Sequence, residues 1–134
     1  MNKNSKLMTL AMALVITLSS LSVQAGSDKT FNKAKAAVEN ASPDDWKTYA
    51  KSAKMLIRKN TNMAEAKQWI ERSLKIRETS YNLEIMGDYY AKNNLPREAV
   101  TWYVKSMNKM KEEQNATIDT SSIQDKIREA SAMK

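Results

Sequence analysis

The side chains that could do chemistry in this chain are few. The 134 residues contain no histidine and no cysteine. That removes the commonest general base, the thiol nucleophile and the usual zinc ligands. Carboxylates remain. Glu84 and Asp88 stand four residues apart, on one face of any helix that carries them. A carboxylate pair can run glycosidase chemistry, but no oxyanion-forming motif, glycine-rich phosphate loop or calcium-loop spacing accompanies this one. The pair reads as a solvated acidic face, and the chain as a non-enzyme with no cofactor and no metal.

Charge and aromatic patterning point toward binding. Lys47, Lys51, Lys54 and Arg58 recur at spacings of four, three and four, a basic stripe along one helix flank. Such a stripe either recognises an acidic partner or faces water and nearby acids, where exposed pairs contribute about 0–1 kcal/mol. Trp46, Trp69 and Trp102 could stack on sugar rings, but each falls on an apolar helix face, which favours core packing.

The elements that position these groups are helical. The whole chain holds two glycines and two prolines, and Ala, Lys, Glu, Met and Leu dominate the rest. Residues 1–25 stand apart. Lys3 and Lys6 precede an apolar run from Leu7 to Leu18, and Val23-Gln24-Ala25 places small residues where a signal peptidase cuts before Gly26. A membrane anchor is the other reading, but a spanning helix needs about 20 predominantly apolar residues. The expectation is a bacterial-type signal peptide over 1–25. An exported domain over 26–134 would follow, periplasmic or secreted and not membrane-spanning once cleaved. Removing the two leader lysines lowers the formal charge from +7 by two, to +5. This mild basic excess favours acidic partners or anionic surfaces and gives no nucleic-acid signature. The Asn115-Ala116-Thr117 acceptor triplet carries little weight beside a bacterial leader.

Periodicity predicts a helix over 28–41 with Phe31, Ala34, Val38 and Ala41 on one face. Ser42, Pro43 and Asp45 read as the cap opening a helix to about residue 59. Asn60-Thr61-Asn62 stops it, and Asn62 with Glu65 reads as the cap of a helix over 63–77. Thr79-Ser80 opens another, ended by Asn93-Asn94. Pro96 starts the next, and a last helix spans 119–133 with Ile123, Ile127 and Ala130 inward. Shifted by 33 residues, the chain matches itself. Lys59-Asn60 returns as Lys92-Asn93, Glu65-Ala66 as Glu98-Ala99, Trp69 as Trp102 and Ser73 as Ser106. Two helices per period of that length mean stacked hairpins.

With Leu83, Met86-Gly87 and Tyr90 on one helix and Ala99, Tyr103 and Ser106 on the next, the second unit resembles the tetratricopeptide repeat (TPR) family. The first unit matches through Ala50, Ala53, Ile57, Ala66, Ile70 and Ser73. Lys54, however, stands in the place of Gly87, so its stem snorkels outward or that hairpin splays. The resemblance implies an all-α fold: antiparallel hairpins over 43–78 and 80–113 stacked as a short TPR-like solenoid, with flanking helices as caps or an end completed by another subunit. It further implies a concave groove lined by the first helix of each unit. Carried over position by position, the groove shows Thr48, Lys51, Met55, Arg58 and Lys59, then Tyr81, Glu84, Ile85, Asp88 and Lys92. The family's carboxylate clamp is not matched, because Met55 stands where it has asparagine. The implied function is an interaction or scaffold module for a peptide or envelope-complex partner. The alternative is a basic module for an anionic envelope polymer or lipid head group.

Overall fold

The computed structural model describes residues 26–114 and 118–133. The expected leader over 1–25 and the Asn115 triplet lie outside them. The described residues form α1 (26–39), α2 (Trp46–Lys59), α3 (Met63–Ile76), α4 (Ser80–Lys92), α5 (Pro96–Gln114) and α6 (Ser121–Ala132), with no strand among them. Helices α2 and α3 form one antiparallel hairpin and α4 and α5 the next. Helix α4 packs on both members of the first hairpin, and α6 packs on α5. No helix among the described residues is long and apolar enough to cross a membrane.

The helix ends fall where backbone donors and acceptors find partners. Helix α2 starts three residues later than its sequence suggests. Asp45, not Ser42, is the N-cap and accepts from the Thr48 N–H at 3.0 Å. The Ser42 carbonyl instead accepts from the Asp45 N–H at 3.0 Å, so 42–45 is a lead-in turn. Hydrogen bonding from Thr48 holds the Asp45 carboxyl below its ordinary range. The expected Asn62 cap is also absent: its backbone is left-handed, φ 46°, and its side chain caps nothing. Its Oδ1 accepts from the Thr61 hydroxyl. Helix α4 opens at Thr79-Ser80 as the sequence suggests, and there a capping box pairs the Thr79 hydroxyl with the Asn82 N–H and the Asn82 side chain with the Thr79 N–H.

Both hairpins turn on a left-handed asparagine that satisfies the helix's last carbonyls. Asn60 has φ 51°, with its N–H bonded to the Ile57 carbonyl and the Thr61 N–H to that of Leu56. Asn94 has φ 56° and repeats the pattern on Ala91 and Tyr90. Asparagine tolerates this conformation because its short polar side chain bonds locally.

The core runs between the hairpins. Ala34, Ala50, Ala53, Leu56, Ile57, Ala66, Ile70, Ile85 and Met86 form one cluster; Ala99, Tyr103, Ile123 and Ala130 form a second under α6. Trp69 and Trp102 pack half-buried against the first cluster, stacked on Phe31 and Tyr90 with centroids 6.2 and 6.3 Å away. A polar knot ties the first hairpin to the second. The fully buried Asn82 side chain donates to the Ser73 hydroxyl (3.0 Å) and the Arg77 carbonyl (2.7 Å), and Ser73 donates to the Trp46 carbonyl (2.8 Å). Ser106 repeats the Ser73 bond one unit on, donating to the Ser80 carbonyl at 2.8 Å.

Helices α4 and α5 approach closely at Gly87, where an added Cβ would stand 2.4 Å from two ring carbons of Tyr103. Gly87→Ala gains about 1 kcal/mol of helix propensity, yet it forces the ring out of a packed interior, at about 1–3 kcal/mol. The expected result is a lower denaturation midpoint for Gly87→Ala, and a smaller loss when the same change is made in a Tyr103→Leu background. Equal losses in both backgrounds would remove the ring as the cause.

Candidate functional site

Helices α2 and α4 pack against each other, and the charges along them are not distributed as the sequence suggests. Glu84 and Asp88 lie half-buried on α4, and Lys126 of α6 takes both. Its ammonium sits 2.7 Å from Glu84 Oε1 and donates to Asp88 Oδ1 at 2.7 Å. Asp88 Oδ1 also accepts from the Tyr103 hydroxyl at 2.9 Å, and the Lys126 ammonium lies 5.6 Å from that ring's centroid. Burial, then the charge of Asp88, pushes the Tyr103 hydroxyl far above its ordinary value. Burial opposes the charge on Lys126, but its bonds to Asp88 and Glu84 outweigh this and raise its pKa. The pair is therefore neither a free acidic wall nor a partner for the basic stripe on α2.

Lys54 does not close on those acids either. Its ammonium lies 5.0 Å from the centroid of the Tyr81 ring, a cation–π geometry. The first hairpin is not splayed around it, since Ala53, Leu56, Ala66 and Ile70 are fully buried. Lys54 snorkels from the position that Gly87 fills one unit later. Burial, then Glu84, raises the Tyr81 hydroxyl pKa.

Two clefts open on this side of the molecule. The larger, about 560 Å³, is lined by Gly26, Lys29, Thr30 and Lys33 of α1 and by Met55, Arg58 and Lys59 of α2. The smaller, about 380 Å³, is lined by Lys54, Ile57, Arg58, Asp88, Ala91, Lys92, Tyr103, Lys126 and Glu129. Arg58 belongs to both. Of the residues the sequence proposed, the structure gathers Met55, Arg58 and Lys59 into the first cleft and Arg58, Asp88 and Lys92 into the second. Lys51 is exposed and lines neither; Tyr81 and Glu84 are half-buried beside the second. Thr48 serves the α2 cap. Ile85 is a correction: only 1% exposed, it packs in the core rather than along the groove.

Sequence reasoning did not foresee Lys29, Lys33, Lys126 or Glu129. Lys29 and Lys33 were visible as a basic pair one turn apart, beside the Phe31–Ala34 stripe. Lys126 was hidden because the longer connection before α6 breaks the 33-residue register. Among the described residues, no group of three or more acidic side chains converges on a point that could hold a metal ion. Comparison of the chain with family models finds no match, and comparisons with curated proteins and with solved structures find none either.

Lys126 gives the fold a testable pH response. The pKa values of Lys126 and Tyr103 are both raised on folding. Their stabilisation is complete below the unfolded values, about 10–10.5, and is lost as pH rises through the folded ones. Lys126→Met is expected to lower stability at pH 7 by about 1–2 kcal/mol, because Glu84 and Asp88 lose their counter-charge. It should also flatten the decline above about pH 10. Denaturant titrations from pH 7 to 11 read both; an unchanged alkaline slope counts against the assignment.

Proposed function

We propose that the protein is an exported, non-enzymatic interaction module with TPR-like architecture, and that its groove holds an acidic segment of a protein partner. One observation carries this reading. Lys126 engages Glu84 and Asp88, which leaves Glu129 as the acid that lines a cleft without an ion pair, whereas Lys29, Lys33, Arg58, Lys59 and Lys92 line the two clefts and form no ion pair among the described residues. The surface left for a partner is cationic, and charge complementarity across an interface favours a partner of opposite sign. The hairpin stack supports the architecture: small buried residues at Ala53, Ala66, Gly87 and Ala99 let paired helices approach. Export is supported by the order of residues 1–25: basic, apolar, then small before Gly26.

The same exposed cations favour a second reading, an anionic envelope polymer or lipid head group. The larger cleft supports the protein partner. Met55 and the lysine stems give the larger one an apolar floor, which suits a peptide's mixed side chains better than a uniformly charged polymer.

Two outcomes follow. The processed chain is expected to begin at Gly26, read by intact mass of protein purified from the cell envelope; a retained leader there overturns cleavage in favour of an anchor, and recovery of the chain only from the cytoplasm removes the export reading. Immobilised protein is expected to capture a protein partner from envelope extract, with Arg58→Glu weakening capture about tenfold, or roughly 1.4 kcal/mol. High salt should weaken it likewise, since exposed charges are screened within about 10 Å at 0.1 M salt. Capture indifferent to both would sink the groove as the binding surface.

A further inference from the structure

We infer that the cleft between α1 and α2 is the anchoring pocket of the groove, and that it takes an extended protein segment bearing carboxylates at alternate positions. This rests on the partner-binding reading above and assigns its ligand chemistry and register. The cleft is flanked by four cations, Lys29 and Lys33 on α1 with Arg58 and Lys59 on α2, and among the described residues no acidic one lines it. In a chain processed after Ala25, the Gly26 ammonium joins them, because Gly26 lines the same cleft.

The spacing selects the ligand. Lys29 and Lys33 are one helical turn apart, about 6 Å along the axis. Alternate side chains of an extended strand stand about 6.6–6.8 Å apart on one side, so one carboxylate meets each lysine while the intervening residues face outward. Met55 at the floor is unbranched and adaptable, and it accepts the apolar parts of such a segment. The cleft lacks the features that a compact phosphate needs: it has no glycine-rich loop and a single guanidinium, so its lysines act as separated point charges.

Helix α1 holds its lysines in place rather than offering them on a loose arm. Ala34 is fully buried, Phe31 stacks on Trp69 at 4° between planes, and Ser27 shares a hydrogen bond with Thr61 at the α2–α3 turn. Arg58 then leads the segment from this pocket into the second cleft. There Lys92 continues the cationic line, and Glu129 beside the Asp88–Lys126 pair ends it.

The test is fluorescence anisotropy of the 26–134 chain with labelled ten-residue peptides. One alternates Glu with Val, one has the same composition with its glutamates in a block, and one replaces Glu by Lys. The alternating acidic peptide is expected to bind best and the lysine peptide not at all. Lys29→Glu/Lys33→Glu should weaken binding at least tenfold and Lys29→Gln/Lys33→Gln less. Lys75→Glu/Lys111→Glu, the same charge change on exposed positions of α3 and α5, should leave it near wild type. Equal loss in the two glutamate variants, or equal binding of the alternating and blocked peptides, overturns the inference. Wild-type binding by Lys29→Glu/Lys33→Glu, with loss in Arg58→Glu, also overturns it but leaves the groove as a peptide site. Binding of inorganic polyphosphate or phosphatidylglycerol vesicles, with no peptide bound, overturns both this inference and the proposed function.

Discussion

The absence of a side chain at Gly87 is the constraint on which the second half of the molecule depends. It lets the Tyr103 ring lie against the α4 backbone, and the position of the ring then fixes that of its hydroxyl. The hydroxyl donates to Asp88, and Asp88 together with Glu84 holds Lys126. A backbone contact between two helices thus becomes a charge-assisted link to a third. Hydrogen bonds to charged groups are among the stronger polar contributions to a fold, about 1.5–3 kcal/mol each. This one lies where α4, α5 and α6 converge, so the last helix is held by chemistry as well as by Ile123 and Ala130.

That arrangement divides the charges of the exposed face. With Glu84 and Asp88 held by Lys126, the two clefts present cations from α1, α2 and α4 beside Glu129 of α6. The polar knot of Asn82, Ser73 and the Trp46 and Arg77 carbonyls does the corresponding work between the hairpins. It fixes the register of α4 against the first unit, and with it the distance between Arg58 and Lys92. Buried polar groups that are fully satisfied specify a single packing, since any slip would strand them without partners.

Much of the fold could be read from residue types. The 33-residue self-match located both hairpins, and the resemblance carried by Gly87, Ala99 and Tyr103 marked the two helices that pair in the second. The misreadings share a physical origin. Several side chains can satisfy the same backbone group, so Asp45 rather than Ser42 caps α2, and Asn62 adopts a left-handed backbone instead of capping α3. Periodicity on a helix packed from two sides cannot separate groove from core, which is why Ile85 moved inward. The site was less readable because its decisive residue, Lys126, sits 38 positions beyond Asp88, past the point where the repeat holds. The α1 lysines belong to no repeat unit, and only docking of α1 on the first hairpin makes them part of a cleft.

Lys126 also makes the charge of the second cleft depend on whether α6 is docked. Terminal elements open locally at less cost than the whole domain unfolds. When α6 lifts from α5, Glu84 and Asp88 lose the ammonium that stands 2.7 Å from each, and Glu129 leaves with the helix. Docking of α6 reverses both changes. The electrostatic character of that cleft is therefore a reporter of the order of the last helix.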